Sequence, residues 1–181
     1  MVARLACVVA VVLAIATAVP AGADTLTPTP TATLDCANPL AGGPRPRSEV
    51  VGNQVALLTS RSRRDATQVA EYTDPAMPQF RYFAKSPLLL RTGSGSARIV
   101  VPRSERGRVV LSWGNTDHDG TATREFVAGP CPGGSTWIWF PGGYSVTVPH
   151  CVTLVIRTAG HAERVRVGAG KACPGQRPPP R

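Results

Sequence analysis

The segment 131–173 constrains the fold most strongly, because short apolar runs alternate there with turn residues. Val152, Leu154 and Ile156 fall on one side of one run, and in the next run valine alternates with arginine, as expected of strands with one buried face. Pro-Gly-Gly, Pro-His and a glycine-containing turn separate these runs, which occupy 137–140, 144–148, 151–157 and 162–167. The segment predicts an antiparallel meander.

The first 23 residues have the composition of a secretory signal peptide. Arg4 precedes the apolar stretch 5–19, and Ala21-Gly22-Ala23 supplies a small-residue cleavage site. This stretch is shorter than the roughly 20 apolar residues needed to span a bilayer, which argues against a retained anchor. We expect cleavage before Asp24, no transmembrane span after it, and a secreted or cell-envelope location.

The remaining chain divides by composition into a stalk, a domain and a tail. Residues 24–47 are rich in Thr, Pro and Gly without apolar periodicity, so they predict a disordered stalk. Residues 174–181 are expected to form a disordered tail. The domain between them, 48–173, lacks the apolar spacing of a capped helix. Its strand-like runs outside the meander are 55–57, 69–72, 80–84, 88–91, 97–101, 108–113 and 125–128.

These strands predict a single fold class. We expect 97–101 and 108–113 to pair across the turn 102–107, and Pro87 to kink one strand or to separate two. Roughly seven to nine short strands with intervening turns are typical of an all-β domain. The prediction is a two-layer antiparallel sandwich of immunoglobulin-like or jelly-roll type.

Four cysteines remain once the leader is removed, and an even number in an oxidising compartment predicts two disulfides. Their spacing contains no C-x-x-C pair, which disfavours a zinc site. The favoured pairing joins Cys131 to Cys151, closing a hairpin, and Cys36 to Cys173, tying the two ends of the domain. The pairing of Cys36 with Cys131 and of Cys151 with Cys173 stays open.

Three aromatic residues are a candidate binding surface. Trp137 and Trp139 share one face of a run that is apolar on both sides, which is typical of a central strand with the indoles in the core. In the alternative, both indoles are exposed with Tyr144 as a flat platform for the sugar rings of a polysaccharide.

Asn115, Asp117 and Asp119, followed by a glycine, match the first half of a calcium-binding loop. The second half does not match, because Phe126 stands where a bidentate glutamate is required. A hairpin turn explains the same residues. We therefore favour a turn and expect neither a metal ion nor another cofactor.

The formal net charge of the chain is +9, and all but two of its 20 basic residues are arginine. Arginine-rich composition follows from a GC-rich genome, so it is weak evidence for nucleic acid, and we expect no nucleic-acid partner. A cationic surface attracts anionic polymers, by an attraction that salt weakens. The expected partners are an anionic envelope polymer or another envelope protein. The arginines cluster at 61–64, at 103–108 and at 164–166.

The sequence contains no catalytic signature: no metal-spaced histidine pair, no G-x-S-x-G elbow and no complete P-loop. His118, His150 and His161 each fall at an expected turn and are expected to be solvated. The sequence favours a non-catalytic binding or interaction domain. The alternatives are a secreted hydrolase with a site assembled from loops, and a small secreted inhibitor or effector.

Four motifs between residues 83 and 173 carry a resemblance: FAKSPLLL, VVLSWG, CPGGSTWIWFPGGYSVTVPHCVTLVIR and RVRVGAGKAC. In them the chain resembles a group of predicted secreted, disulfide-containing proteins of unknown function from high-GC Gram-positive bacteria. The resemblance implies an exported all-β domain with disulfides. It supplies no catalytic residues.

Overall fold

The structure, a computed structural model, describes residues 31–179 except 38, 45–49, 58–64, 73, 76, 115–121 and 135. The expected leader lies outside these residues, as do the calcium-loop candidates Asn115, Asp117 and Asp119 and the arginines at 61–64. Strands dominate the described chain, and its one helix is a 3-10 turn at Arg103–Glu105.

Fourteen strands are present in the described residues, and most match runs expected from the sequence. In chain order they are β1 (Ala32–Leu34), β2 (Ala41–Gly43), β3 (Val50–Val51), β4 (Val55–Leu57), β5 (Val69–Glu71), β6 (Tyr82–Lys85), β7 (Leu88–Arg91), β8 (Ala97–Val100), β9 (Val109–Trp113), β10 (Glu125–Ala128), β11 (Trp137–Phe140), β12 (Gly142–Val146), β13 (His150–Thr158) and β14 (His161–Ala169).

The strands form three sheets. Sheet I has the order β1-β10-β8-β13-β14, sheet II has the order β2-β11-β7-β4-β3, and sheet III has the order β5-β6-β12-β9. Side chains of all three sheets meet in one core, represented by Ile156 from sheet I, Leu90 from sheet II and Leu111 from sheet III. The predicted all-β class and the sandwich-like packing of antiparallel sheets are confirmed.

Sheets II and III are joined by two bent connections. The chain passes from β6 to β7 across Ser86-Pro87 and from β11 to β12 across Pro141. Pro87 therefore separates two strands, which is one of the two arrangements expected for it. At this corner the Ser86 amide donates to the Gly142 carbonyl at 2.9 Å. Gly142 has φ +130°, and a Cβ there would lie 2.0 Å from the Ser112 carbonyl oxygen. The bend therefore depends on glycine at this position.

The predicted meander is wrong. Strands β11, β12 and β13 belong to sheets II, III and I in turn, and of the four strands from β11 to β14 only β13 and β14 pair with each other. The reason is that Pro141 and the following glycines bend the chain instead of reversing it. The predicted pairing of 97–101 with 108–113 is wrong for a similar reason, because the 3-10 turn carries the chain from β8 in sheet I to β9 in sheet III.

Alternation within β13 and β14 follows the sequence. Val152, Leu154 and Ile156 are fully buried, while Val165 and Val167 are at least nine-tenths buried. Arg164 and Arg166 are exposed between them. These two strands thus present one face to the core and one to solvent.

Two described segments assigned to the stalk and tail are parts of the fold. β1 pairs in parallel with β10, and β2 pairs with β11, so the expected disordered stalk over 24–47 is wrong for these strands. Beyond Cys173, the Arg177 carbonyl accepts the Ala66 amide at 2.9 Å, so the tail is also held where it is described. Edge strands pair through backbone groups, which apolar periodicity does not report.

The two predicted disulfides are present, but the favoured pairing is wrong. The bonds join Cys36 to Cys131 and Cys151 to Cys173. Cys131 and Cys151 cannot close a hairpin, because β11 and β12 between them lie in sheets II and III and Cys151 itself lies on β13 of sheet I. The parallel register of β1 on β10 brings their ends, and hence Cys36 and Cys131, together, and the chain after β14 returns to Cys151 on β13.

Candidate functional site

The outer side of sheet I carries a concentrated set of arginines. On β13 the outward residues are Thr153, Val155 and Arg157, and the register places Arg166 beside Thr153 and Arg164 beside Val155 on β14. On β8, Arg98 lies directly opposite Arg157. We call these four residues the arginine face: Arg98, Arg157, Arg164 and Arg166.

One carboxylate partly compensates this charge. The Arg98 Nε donates to Glu125 Oε1 at 2.6 Å, and Glu125 lies on β10 beside Val100 of β8. Arg157, Arg164 and Arg166 form no ion pair with any residue that the structure describes. On the outer side of these strands, four arginines against one glutamate leave a formal charge of +3, and Glu163 of β14 lies on the inner side in register with Ile156.

Like charges lie close together on the arginine face. Arg98 and Arg157 are directly opposite each other, an arrangement that destabilises an antiparallel pair unless another group relieves it. Glu125 relieves it from the Arg98 side, while Arg157 stays exposed. An anionic ligand laid across β8, β13 and β14 would remove the rest of this repulsion.

Valines form an apolar strip within the arginine face. Val100, Val127 and Val155 are partly exposed on β8, β10 and β13. Val155 is paired with Val100, and Arg164 lies on the other side of Val155. The surface can therefore contact both the anionic groups and the less polar backbone of a ligand.

The aromatic candidates do not form a common exposed platform. Trp137 is 3% exposed and packs with Ala56 and Leu89, and the partly buried Trp139 packs against this cluster. Tyr144 is fully buried in the central core instead. Of the two interpretations, the structure agrees with the apolar strand, because Ile138 and Phe140 face the central core while both tryptophans pack on the opposite side of sheet II.

A buried acid–base pair was not anticipated from the sequence. His150 Nε2 lies 3.1 Å from Glu105 Oε2, and both residues are less than 10% exposed. His150 Nδ1 lies 2.7 Å from the Val148 carbonyl oxygen, which can only accept, so Nδ1 donates. The Thr153 amide donates to Glu105 Oε1 at 3.2 Å. The expectation of a solvated His150 is wrong.

The Glu105–His150 pair is occupied by structural contacts. It fixes the 3-10 turn between sheets I and III to the first residues of β13, and Arg108 approaches Glu105 Oε2 only to 4.0 Å. No sequence motif joins the two residues, because they are 45 positions apart. A local signal could not have found them.

Tyr144 is a second buried polar group. Its hydroxyl donates to Thr67 Oγ1 at 3.2 Å, which links sheet III to the segment that precedes β5. Burial raises the pKa of Tyr144 to about 12, against the opposing effect of its hydrogen bonds. The phenol is therefore neutral in ordinary buffers.

The described residues contain neither a metal centre nor a membrane-spanning helix. They contain no group of three or more His, Cys, Asp or Glu side chains arranged to hold a metal ion. No helix among them is long and apolar enough to cross a membrane. Comparisons of the chain with protein families, with curated proteins and with solved structures find no match. The arginine face is accordingly the candidate site.

Proposed function

We propose that this protein is an exported, non-catalytic binding domain whose arginine face binds an anionic polymer of the cell envelope. The observation that carries the proposal is the set of three arginines on β13 and β14 that lack an ionic partner in the described chain. Export is supported by the composition of the leader and by two disulfides, which persist in oxidising compartments.

The spacing of the arginines suits a ligand with repeated charges. Arg164 and Arg166 are two residues apart on one strand, so their Cα atoms are about 7 Å apart. Arg157 lies on the neighbouring strand, diagonal to Arg164, at a similar separation of about 7–8 Å. A polymer can meet several of these positions together, and each contact then adds to an attraction that is weak for a single exposed pair.

Core packing and a disulfide hold the strands that carry the arginine face. The side chains opposite the arginine face are core residues of β13 and β14, and the disulfide Cys151–Cys173 lies at one end of the same strands. Because the strands are fixed, the arginines lose only side-chain freedom when they bind. A flat cationic surface of this kind binds a chain laid across it more readily than a small molecule, which needs a concave pocket.

Binding to immobilised polymers tests the proposal. Residues 24–181 are compared on a teichoic acid, which carries phosphate diesters, and on polygalacturonate, which carries carboxylates. The triple variant Arg157→Ser/Arg164→Ser/Arg166→Ser is expected to lose at least about tenfold in affinity for the preferred polymer, as for the removal of several charged contacts. The two polymers show which anionic group is preferred.

A matched control separates the arginine face from net charge. Arg81→Ser/Arg103→Ser/Arg106→Ser removes the same charge from exposed positions outside sheet I. The proposal expects this control to retain most of the binding. Equal losses in both triple variants, or no binding of the unmodified protein to either polymer at low salt, would contradict it.

A further inference from the structure

β14 is an edge strand of unusual length for this fold. It has nine residues and lies at the end of sheet I, whereas the next longest edge strand, β9, has five. Natural edge strands are usually short, covered or interrupted, because their unpaired backbone groups attract further strands. The open part of β14 is therefore a feature to be explained.

Thr67 covers one end of this edge. Its amide donates to the Gly168 carbonyl at 2.7 Å, and its carbonyl accepts the Gly170 amide at 2.8 Å. These bonds show that the even-numbered residues of β14 direct their backbone groups away from β13, because the direction alternates along a strand. Among the residues that the structure describes, none pairs with the edge from His161 to Val167.

The open edge thus presents the amide and carbonyl groups of Ala162, Arg164 and Arg166. All three residues are exposed. They extend over about 13 Å, which is the length that a strand of four to five residues pairs with. Six backbone groups there have no backbone partner among the described residues and can form a ladder of hydrogen bonds.

The side chains of β14 define what an added strand would contain. Arg164 and Arg166 lie on the outer side of sheet I. In a new strand, acidic side chains would therefore be favoured at the positions beside them. Val165 lies on the inner side at the rim of the core and is 8% exposed. The residue beside it would be favoured as apolar, because it would extend the core by one strand.

A second copy of this chain does not fit the same edge. If two β14 strands paired with each other, Arg164 and Arg166 of one copy would lie beside the arginines of the other. Like charges directly opposite each other destabilise a strand pair. Charge complementarity therefore selects a different, acidic strand.

We infer that the edge of β14 between Ala162 and Arg166 binds an extended segment of a partner polypeptide in which acidic and apolar residues alternate. The segment is added to sheet I as a sixth strand. Its backbone supplies the hydrogen bonds, and its alternating side chains supply specificity. This site uses the backbone edge and a polypeptide, so it goes beyond the polymer-binding role proposed above for the arginine face.

Amide hydrogen exchange tests the inference on the isotopically labelled protein, residues 24–181. The probe is a heptapeptide with blocked ends in which valine alternates with glutamate. In the free protein, the amides of Ala162, Arg164 and Arg166 are expected to exchange rapidly. At saturating peptide, their exchange is expected to slow at least tenfold. Unchanged exchange of these three amides at millimolar peptide would overturn the inference.

Two control peptides separate strand addition from charge attraction. One has the same composition with the glutamates and valines in separate blocks, and the other keeps the alternating sequence but is N-methylated at every amide. Neither is expected to protect the three amides, because one lacks the alternation and the other lacks the donors. Equal binding of the N-methylated peptide would show attraction by charge alone and would overturn the inference.

The variant Ala162→Pro separates this site from the polymer site. Its ring removes one edge donor while every arginine of the arginine face stays in place, and the lost amide is not one that pairs with β13. Peptide binding is expected to fall at least tenfold, with polymer binding unchanged. Ala162→Ser keeps the amide and is the matched control. Retained peptide binding in a folded Ala162→Pro variant would also overturn the inference.

Discussion

The side chains of Glu105 and His150 lie 3.1 Å apart in the interior, although 45 residues separate them in the chain. Glu105 also accepts the Thr153 amide, so one carboxylate contacts two buried nitrogen groups near the beginning of β13. Buried polar groups destabilise a fold when they lose their partners. This pair therefore determines how the connection between β8 and β9 is fixed to sheet I.

Removal of this carboxylate is expected to destabilise the domain. Glu105→Ala leaves His150 Nε2 and the Thr153 amide without a partner, at a cost of about 2–5 kcal/mol in the free energy of unfolding. Glu105→Gln retains an acceptor and should lose less. Glu71→Ala, at an exposed position in β5, is the control and should change stability by less than about 0.5 kcal/mol. Urea unfolding measures all three; a loss in Glu105→Ala as small as in the control would contradict this role.

The raised pKa of Tyr144 predicts a loss of stability at alkaline pH. Burial raises the pKa of Tyr144 to about 12, from an ordinary value of 10.0. Because the folded-state pKa is above that of the unfolded chain, its contribution is fully present below pH 10 and is lost as pH rises towards 12. The expected decrease is at most about 3 kcal/mol.

The variant Tyr144→Phe isolates this contribution. It loses the bond to Thr67 and starts from a lower stability by about 1 kcal/mol, but it should lack the Tyr144-dependent decrease between pH 10 and 12. Urea unfolding at several pH values in this interval compares the two proteins. If the free energy of unfolding falls equally with pH in both proteins, the decrease does not come from Tyr144.

The two disulfides should differ in their contribution to stability. Their cysteines are 95 positions apart for Cys36–Cys131 and 22 for Cys151–Cys173. In the chain-entropy account, replacing the first pair by serine costs roughly 4.5–5 kcal/mol, and replacing the second costs roughly 3–3.5 kcal/mol. Peptide mapping without reduction checks the pairing, and urea unfolding of the two double variants checks the order. Recovery of a disulfide-linked Cys131–Cys151 peptide would contradict this pairing and the sheet topology that explains it.

Glycine at the corner between β11 and β12 should be required for folding. A Cβ at Gly143 would lie 1.9 Å from the Ala84 carbonyl oxygen, and one at Gly142 would be similarly close to Ser112. Gly142→Ala and Gly143→Ala are each expected to lose about 3 kcal/mol or more, since backbone must shift. Gly134→Ala, where a Cβ meets open space, is the control. Thermal unfolding that finds all three variants equally stable would show that the bend does not need glycine.

Strand positions could be predicted from the sequence because their signal is local. The runs Leu88–Arg91, Glu125–Ala128 and Trp137–Phe140 have the bounds expected from their apolar residues. Their sheet membership could not be predicted, since it depends on whether a turn reverses the chain or bends it. Pro141 and the two glycines after it are compatible with both, and the disulfide pairing depends on that choice.

The arginine face was only partly predictable. Alternation in β14 placed Arg164 and Arg166 on a solvated side, as the structure shows. Arg98 joins them only because β8 pairs with β13, and this non-local pairing has no sequence signal. The strands β1 and β2 were missed because they lie at sheet edges, where backbone pairing needs no apolar pattern.

The most direct test of the central claim is the salt dependence of polymer binding by the unmodified protein and by Arg157→Ser/Arg164→Ser/Arg166→Ser. If these arginines contact anionic groups, the slope of log affinity against log salt should be smaller by about 2–3 in the variant, as for three lost ionic contacts. The control triple variant at Arg81, Arg103 and Arg106 should keep the original slope. The same slope in all three proteins would contradict binding through the arginine face.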